Sequence, residues 1–312
     1  MKEVVMVPEK ELKENLIRMH DRRIALLFIL PAVVLFLVMA IYPFIYMIYT
    51  SFTNLNLSMS GTGQFIGLSN YFEIFHDPLA MGSITFSTMV LLIAVPIEMA
   101  IGVLFGLLIR GLKGERIFRL LFLISMMIPG IVFGISAQMI FNYLFGAANY
   151  FLSFFGVPEI AWFGHAATAQ FVILFLDIIQ WTPFIFLITY AGLLSVPQDL
   201  IDAARVDGAS RWQLFINVEL PTLKSFIYIA LIIRLIDALK IFGKIYMTTW
   251  GGPGMATSSW SFYIYKVGVS YGWDIGYASA LAIILLIVSA ILVNLLIKVL
   301  NLGETLELKR EG

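Results

Sequence analysis

The sequence predicts an all-α integral membrane protein with about six transmembrane helices and one short helix on the cytoplasmic side. Of its 312 residues, 60% are hydrophobic and only 13% are charged, whereas soluble domains carry about 25% charged residues. Several apolar runs reach the roughly 20 residues that a helix needs to cross the hydrocarbon core. Basic residues are dense in some of the connecting segments and absent from others.

Six apolar runs are long enough to be spans, and together they predict a transmembrane domain over residues 24–302. The first run is too long for the apolar part of a signal peptide, so it is expected to remain as a span. Polar segments flank the domain: an amphipathic cytoplasmic segment at 1–23 and a cytoplasmic tail at 303–312. The predicted spans are about Ile24–Phe52, Ile84–Ile109, Ile117–Phe141, Thr168–Leu194, Leu223–Thr248 and Tyr277–Leu300.

The distribution of basic residues predicts the orientation of these spans. Sixteen of the 20 Lys and Arg residues fall in the N-terminal segment, after the second span, after the fourth span and at the C-terminal end. The loops at 53–83 and 142–167 contain no Lys or Arg. Because Lys and Arg accumulate in cytoplasmic loops, both chain termini are expected in the cytoplasm.

The polar segment after the fourth span predicts a short helix over about 196–208. Two capping boxes are predicted, Ser195–Gln198 at its start and Ser210–Gln213 at the start of the next helix, and Pro197 suits a first helical turn. Gly208 is a suitable helix stop because glycine adopts a positive φ at little cost. A short polar helix with a sharp corner, placed between two spans, suits docking to another protein.

Motifs for catalysis, metal binding and nucleotide binding are missing from the sequence. It has no phosphate-binding Gly-x-x-x-x-Gly-Lys-Ser/Thr loop, no His-Glu-x-x-His and no Gly-x-Ser-x-Gly. Cysteine is absent, and His20, His76 and His165 are far apart. We therefore expect no catalytic residue, no metal site, no cofactor in this chain and no nucleic-acid partner, with lipid and a small molecule as its non-protein partners.

Ionisable residues within the predicted spans are candidates for a functional path. Charges at membrane depth cost about 2.5–3.5 kcal/mol on insertion scales and usually face a cavity or the bundle interior. Arg234 and Asp237 are three residues apart on one helix, so either they form a structural ion pair or they belong to a polar strip along a path. The six candidates are Glu98, Asp177, Arg234, Asp237, Lys240 and Lys244.

The short polar helix also carries a family resemblance. The run Asp202-Ala203-Ala204-x3-Gly208-x9-Val218-x-Leu220-Pro221 resembles the signature of permease subunits in binding-protein-dependent ABC importers. That signature is usually Glu-Ala-Ala, three residues, Gly, nine residues, Ile-x-Leu-Pro, so every spacing agrees and two residue types differ. Asp237-Ala238-Leu239-Lys240-x-Phe242 and Gly251-Gly252-Pro253-Gly254 resemble the carbohydrate branch, which includes maltose-type and glycerol-phosphate-type permeases.

The resemblance implies a multi-subunit importer in the cell inner membrane that moves a carbohydrate or related polyol. Its partners would be a second permease subunit, two ATP-binding-cassette subunits that hold ATP and Mg, and an extracytoplasmic substrate-binding protein. The chain itself would not be an enzyme. Its short helix would couple to the ATPase, whereas the alternative is a loop helix packed on its own bundle. The implied coupling residues are Asp202, Ala203, Ala204, Asp207, Gly208 and Ala209.

A substrate pathway is implied by the same resemblance, in the spans before and after the signature. Trp181 offers a flat face on which a sugar ring can stack, and Gln180 offers amide hydrogen bonds. The alternative is that Trp181 packs in the core and that Gln180 is satisfied by protein groups. The pathway residues are Gln180, Trp181, Phe184, Arg234, Asp237, Ala238 and Ile241.

Two other classes of function remain open at this point. An ion-gradient-driven secondary transporter would use Glu98 and Asp177 as proton or sodium groups and would transport without partners. A membrane-embedded enzyme would need a convergent set of catalytic residues, which the sequence does not offer. Co-purification of an ATPase and a second permease would separate the importer from both.

Overall fold

The structure is a computed structural model that describes residues 24, 27–61 and 63–300. Within these residues it is built of helices, with two isolated β-bridges and no strand. In chain order the helices are α1 (Leu27–Ser51), α2 (Ser69–His76), α3 (Pro78–Ile109), α4 (Glu115–Met127), α5 (Gly130–Ile140), α6 (Ala147–Ser153), α7 (Ala166–Leu194), α8 (Gln198–Val206), α9 (Arg211–Ala238), α10 (Gly243–Thr248), α11 (Trp260–Tyr265) and α12 (Ile275–Val299).

The predicted all-α membrane class is confirmed. Helices α1, α3, α7, α9 and α12 are each long and apolar enough to cross a membrane. Helices α4 and α5 give a sixth crossing if the bent pair forms one span. The predicted segments 1–23 and 303–312 lie outside the described residues.

The third predicted span, Ile117–Phe141, is wrong as a single helix. Helix α4 ends at Met127, α5 begins at Gly130, and the two are bent by 94°. Ile128 has ψ 122°, in the extended region. The cause is Pro129, whose ring disfavours helical backbone at the residue before it.

The fifth predicted span, Leu223–Thr248, is also wrong in its bounds. Helix α9 already begins at Arg211 and ends at Ala238, and residues 239–242 separate it from α10. Serine hydroxyls satisfy the backbone of this break: Ser261 donates to the carbonyl of Leu239 at 3.2 Å and Ser259 to that of Ile241 at 2.5 Å. Such partners are what non-helical backbone needs inside a membrane protein.

Helix α7 is the centre of the bundle and packs against α3, α4 and α9. Two glycines allow α3 to approach it closely. A Cβ on Gly102 would lie 2.5 Å from Cβ of Ile185, and one on Gly106 would lie 2.8 Å from Thr189. Small residues at such contacts are typical of membrane helix packing, which depends on close van der Waals contact. The close contact fixes α3 and α7 as one wall of the molecule's interior.

At the start of α3, Asp77 connects three helices. Its carboxylate accepts a hydrogen bond from the backbone N–H of Leu79 at 2.9 Å, and others from the hydroxyls of Tyr263 at 2.5 Å and Tyr277 at 2.9 Å. Partial burial tends to raise the pKa of Asp77, but these hydrogen bonds to the charged carboxylate outweigh it and lower the pKa below its usual range. Asp77 therefore stabilises the packing of α3, α11 and α12 as an anion.

Candidate functional site

The corner predicted after α8 is present in the structure. Gly208 has φ +77°, and two backbone hydrogen bonds close the helix: Gly208 N–H to the carbonyl of Arg205 at 3.1 Å, and Ala209 N–H to that of Ala204 at 2.9 Å. This pair of bonds is the Schellman arrangement. Ser210 and Gln213 then form the predicted capping box and start α9. A stop and a start two residues apart produce a sharply defined corner.

The other predicted capping box, Ser195–Gln198, is wrong. The hydroxyl of Ser195 donates to the carbonyl of Gly192 at 2.7 Å, so it closes α7 instead of starting α8. Pro197 occupies the N-cap position, and α8 begins at Gln198. The side chain of Gln198 donates forward to Asp202 at 3.1 Å. Helix α8 is consequently shorter than the predicted 196–208.

One residue anchors α8 to the rest of the bundle. Ile201 is 1% exposed and is the buried residue of this helix, whereas Val206 is 86% exposed. Asp202 pairs with Arg205 at 3.2 Å, and both side chains are more than half exposed. Among the predicted coupling residues, Asp202, Ala203, Asp207 and Gly208 are exposed, while Ala204 and Ala209 are half-buried. The small-residue face of the corner is therefore open to a partner.

A network of buried charges lies between α3, α7, α9 and α10. Arg234 on α9 is fully buried and binds Glu98 on α3 through two hydrogen bonds, of 2.5 and 3.0 Å. It also donates to Asp177 on α7, and Lys244 on α10 binds the other oxygen of Asp177 at 2.5 Å. Two carboxylates thus face two cations, and each charge of this network has a partner of opposite sign.

The ion pair of Arg234 with Asp237, one of the two predicted alternatives, is present but secondary. Nη1 of Arg234 lies 3.6 Å from the carboxylate of Asp237, which is 39% exposed, whereas Glu98 and Asp177 are buried and closer. Arg234 therefore belongs to a structural network in this conformation. Asp237 lies between that network and the space beside it.

That space is a cavity of about 150 Å³ next to the buried network. It lies between α7, the break after α9, α10 and the first residue of α5. Polar and aromatic side chains form most of its wall, and the open backbone of the α9–α10 break forms the rest. Its lining residues are Gly130, Asp177, Gln180, Trp181, Asp237, Lys240, Ile241, Phe242, Gly243 and Lys244.

The structure separates the predicted pathway residues into two groups. Gln180, Trp181, Asp237 and Ile241 line the cavity. Phe184, Arg234 and Ala238 do not: Phe184 packs edge-on against Trp181 at 5.9 Å, Ala238 is buried in the core, and the guanidinium of Arg234 lies 5.1 Å from the Trp181 ring.

Gln180 has a protein partner as well as a place at the cavity. Its amide donates to the carbonyl of Ile128 at 2.7 Å, at the break between α4 and α5. The other break is adjacent, because α5 packs on α10 and Gln138 donates to the carbonyl of Thr248 at 3.0 Å. Gly130, Phe242 and Gly243 also line the cavity, but the sequence did not predict this. No rule based on residue spacing shows that two helix breaks lie side by side in the fold.

Three comparisons with known proteins bear on this arrangement. Residues 98–303 match the family described as "Binding-protein-dependent transport system inner membrane component". The chain is 34% identical to the trehalose/maltose transport system permease protein MalF of Thermococcus litoralis over 86% of this chain and 90% of that protein. It is 35% identical to the sulfoquinovosyl glycerol transport system permease protein SmoG of Agrobacterium fabrum, over 92% of this chain and 94% of that one.

A solved structure shares the fold. A chain from a bacterial ABC transporter involved in the import of the acidic polysaccharide alginate superimposes with a TM-score of 0.80 at 19% identity. The superposition covers 92% of this chain and 98% of that chain.

Proposed function

The chain belongs to the family of binding-protein-dependent transport system inner membrane components, and we propose that it is the permease subunit through which an ABC importer moves a carbohydrate or related polyol. The importer is ATP-driven, and the chain is a multi-pass component of the inner membrane. The relatives at 34% and 35% identity are transport permeases, which agrees with a subunit that is not itself an enzyme.

The carbohydrate class is supported by what the relatives are named for. MalF of Thermococcus litoralis is named for trehalose/maltose transport, and AraP of Bacillus subtilis, 32% identical over 84% of this chain, for arabinooligosaccharides. The single observation that carries the proposed role is the exposed corner of α8. It exposes Asp202, Ala203 and Gly208, with Ala204 half-buried, at the end of a helix whose one buried residue is Ile201.

In the proposed assembly, α8 is the coupling helix and docks on an ATP-binding-cassette subunit. Asp202 and Asp207 can accept charge-assisted hydrogen bonds from a basic partner. Ala203, Ala204, Gly208 and Ala209 are small enough for another surface to approach closely. The partner subunits bind ATP and Mg, a second permease subunit completes the channel, and an extracytoplasmic binding protein delivers the solute. Both termini of the chain face the cytoplasm in this assembly.

The cavity beside the buried network is the proposed solute site. Trp181 offers an aromatic face, while Gln180 and Asp237 offer a hydrogen-bond donor and an acceptor for hydroxyl groups. The test is sugar uptake by the reconstituted importer. Trp181→Ala and Gln180→Ala should each lower uptake strongly while the ATPase subunits still co-purify. Trp181→Phe keeps an aromatic face and should retain most of the uptake. Unchanged uptake in both alanine variants would refute this site.

An ion-gradient-driven secondary transporter is the weaker alternative. It would need Glu98 or Asp177 as an exchangeable proton or sodium group, but both are buried and bound to Arg234, and Asp177 also to Lys244. Purification of the tagged chain from its native membrane separates the two functions. An ATPase and a second permease should accompany it, and solute movement by the chain alone would contradict the importer.

A further inference from the structure

We propose that the cavity beside Trp181 selects an uncharged sugar ring over an acidic one, because the two lysines that line it are matched in number by two carboxylates. The inference rests on the proposed function, since it concerns the solute that the permease carries. It follows from three parts of the structure: the buried network, the deep wall of the cavity and its rim.

The buried network leaves no cation available to an anionic solute. Arg234 is 0% exposed and does not line the cavity. Glu98 engages it through two hydrogen bonds and Asp177 through another. The face of the Trp181 ring covers the guanidinium on a further side, with 5.1 Å between the guanidinium carbon and the ring centroid. A carboxylate or sulfonate in the cavity would not reach this guanidinium.

The deep wall of the cavity is also neutral. Lys244 lines the cavity, but its side chain is only 4% exposed and its ammonium lies 2.5 Å from Asp177. A buried anion gains little from a cation that is already paired. It loses its hydration nonetheless, and this loss is large for a charged group without a new partner. The wall therefore disfavours an acidic group.

The rim carries one charge of each sign. Asp237 and Lys240 both line the cavity and lie three residues apart, with the N–H of Lys240 bonded to the carbonyl of Asp237 at 2.9 Å. A sugar hydroxyl can donate to the carboxylate and accept from the ammonium. An acidic sugar would be attracted by Lys240 and repelled by Asp237. Repulsion of the wrong ligand is how specificity is commonly built.

The size of the cavity agrees with a single ring. Its volume of about 150 Å³ is below the roughly 300–1,000 Å³ of complete ligand pockets. It therefore holds one part of a longer solute, and the charge test applies to the ring that occupies it.

The test uses the assembled importer, with both permeases and both ATPase subunits, in nanodiscs without the binding protein. Leaving out the binding protein removes its own selectivity from the measurement. The probes are maltose and trehalose, each paired with the derivative in which a terminal primary alcohol is oxidised to a carboxylate. Calorimetry gives the ratio of the dissociation constants of the acid and the neutral sugar. For the natural chain we expect the neutral sugar to bind about tenfold more tightly or better.

Two variants of the rim should move this ratio in opposite directions. Asp237→Asn removes a negative charge and should lower the ratio of the acid's dissociation constant to that of the neutral sugar several-fold. Lys240→Gln removes a positive charge and should raise this ratio. Glu159→Gln, an exposed carboxylate outside the cavity, is the control and should leave the ratio unchanged. Co-purification of the ATPase subunits verifies that each variant assembles.

The possible results separate the inference from the proposed function. Equal binding of acid and neutral sugar by the natural chain would overturn the inference alone, as would rim variants that leave the ratio unchanged. If no member of either pair binds and the importer takes up no neutral sugar or polyol, the proposed function fails and the inference fails with it.

Discussion

Replacing Gly208 with valine is the sharpest test of the corner that α8 and α9 form. Gly208 has φ +77°, and a Cβ built there meets nothing within 4 Å. The Cβ itself is therefore not crowded, and the main cost is that of a left-handed backbone, roughly 1–2 kcal/mol for a residue with a Cβ and at the upper end for a β-branched one. About 2 kcal/mol shifts the equilibrium between the formed and unformed corner roughly 30-fold.

The assay is sugar uptake per ATP hydrolysed by the reconstituted importer, together with the yield of co-purified ATPase. Gly208→Val should lower the uptake per ATP, the ATPase yield, or both, because the hydrogen bonds to Ala204 and Arg205 depend on the left-handed residue. Gly208→Asn is the matched control, since asparagine tolerates this conformation better than other residues with a side chain. Natural coupling and natural assembly in Gly208→Val would refute the role of the corner.

Two predictions concern the interior of the bundle. Glu98→Gln removes one carboxylate from the buried network and should destabilise the purified chain by about 3–5 kcal/mol, as breaking a buried ion pair does; thermal unfolding in detergent measures this, with Glu159→Gln as the unaffected control. At Gly102 even an added Cβ would lie 2.5 Å from a side-chain carbon of α7, so overpacking in Gly102→Val should destabilise the chain by about 1–3 kcal/mol or more. Gly82→Val, where a Cβ meets nothing within 4 Å, should cost much less in the same unfolding assay, and equal loss in both valine variants would contradict the packing argument.

Features that depend on local chemistry could be predicted from the sequence. The apolar runs predicted the helices near the second, fourth and sixth spans because about 20 apolar residues leave few alternatives to a membrane helix. Gly208 and the Ser210–Gln213 capping box predicted the corner because both act within a few residues. Ser195 failed as a cap since its hydroxyl had a competing acceptor, the carbonyl of Gly192, which the sequence pattern does not reveal.

The charged network and the two helix breaks depend on contacts that are distant in sequence. Arg234 and Asp237 share a helix face, so the sequence allowed either an ion pair between them or a polar strip along a path. The closer partners of Arg234 are instead Glu98 and Asp177 on other helices. The hydropathy pattern also predicted one continuous span where the structure has α9 and α10, because residues 239–242 are themselves largely apolar. The backbone of this break is stabilised by hydrogen bonds from Ser259 and Ser261. A hydropathy average cannot show that these serines contact residues 239–242.

The arrangement of α7 and α9 explains how a movement of the corner would reach the cavity. Helix α7 passes the cavity at Trp181 and ends beside α8, about 20 Å further along its axis. Helix α9 starts at the corner and reaches the cavity at Asp237. Arg234 ties both helices to α3 through Asp177 and Glu98, so we expect these helices to move together.

The opposite wall of the cavity, formed by α10 and the start of α5, lies beyond both backbone breaks. The two parts of this wall pack on each other, as the bond from Gln138 to Thr248 illustrates. Among the described residues, one salt bridge connects the two walls. It joins the ammonium of Lys244 on α10 to the carboxylate of Asp177 on α7. A rigid-body rearrangement between the walls must therefore lengthen or break this pair. Because a buried ammonium without its partner is costly, that step requires water or solute to enter the cavity as the walls separate.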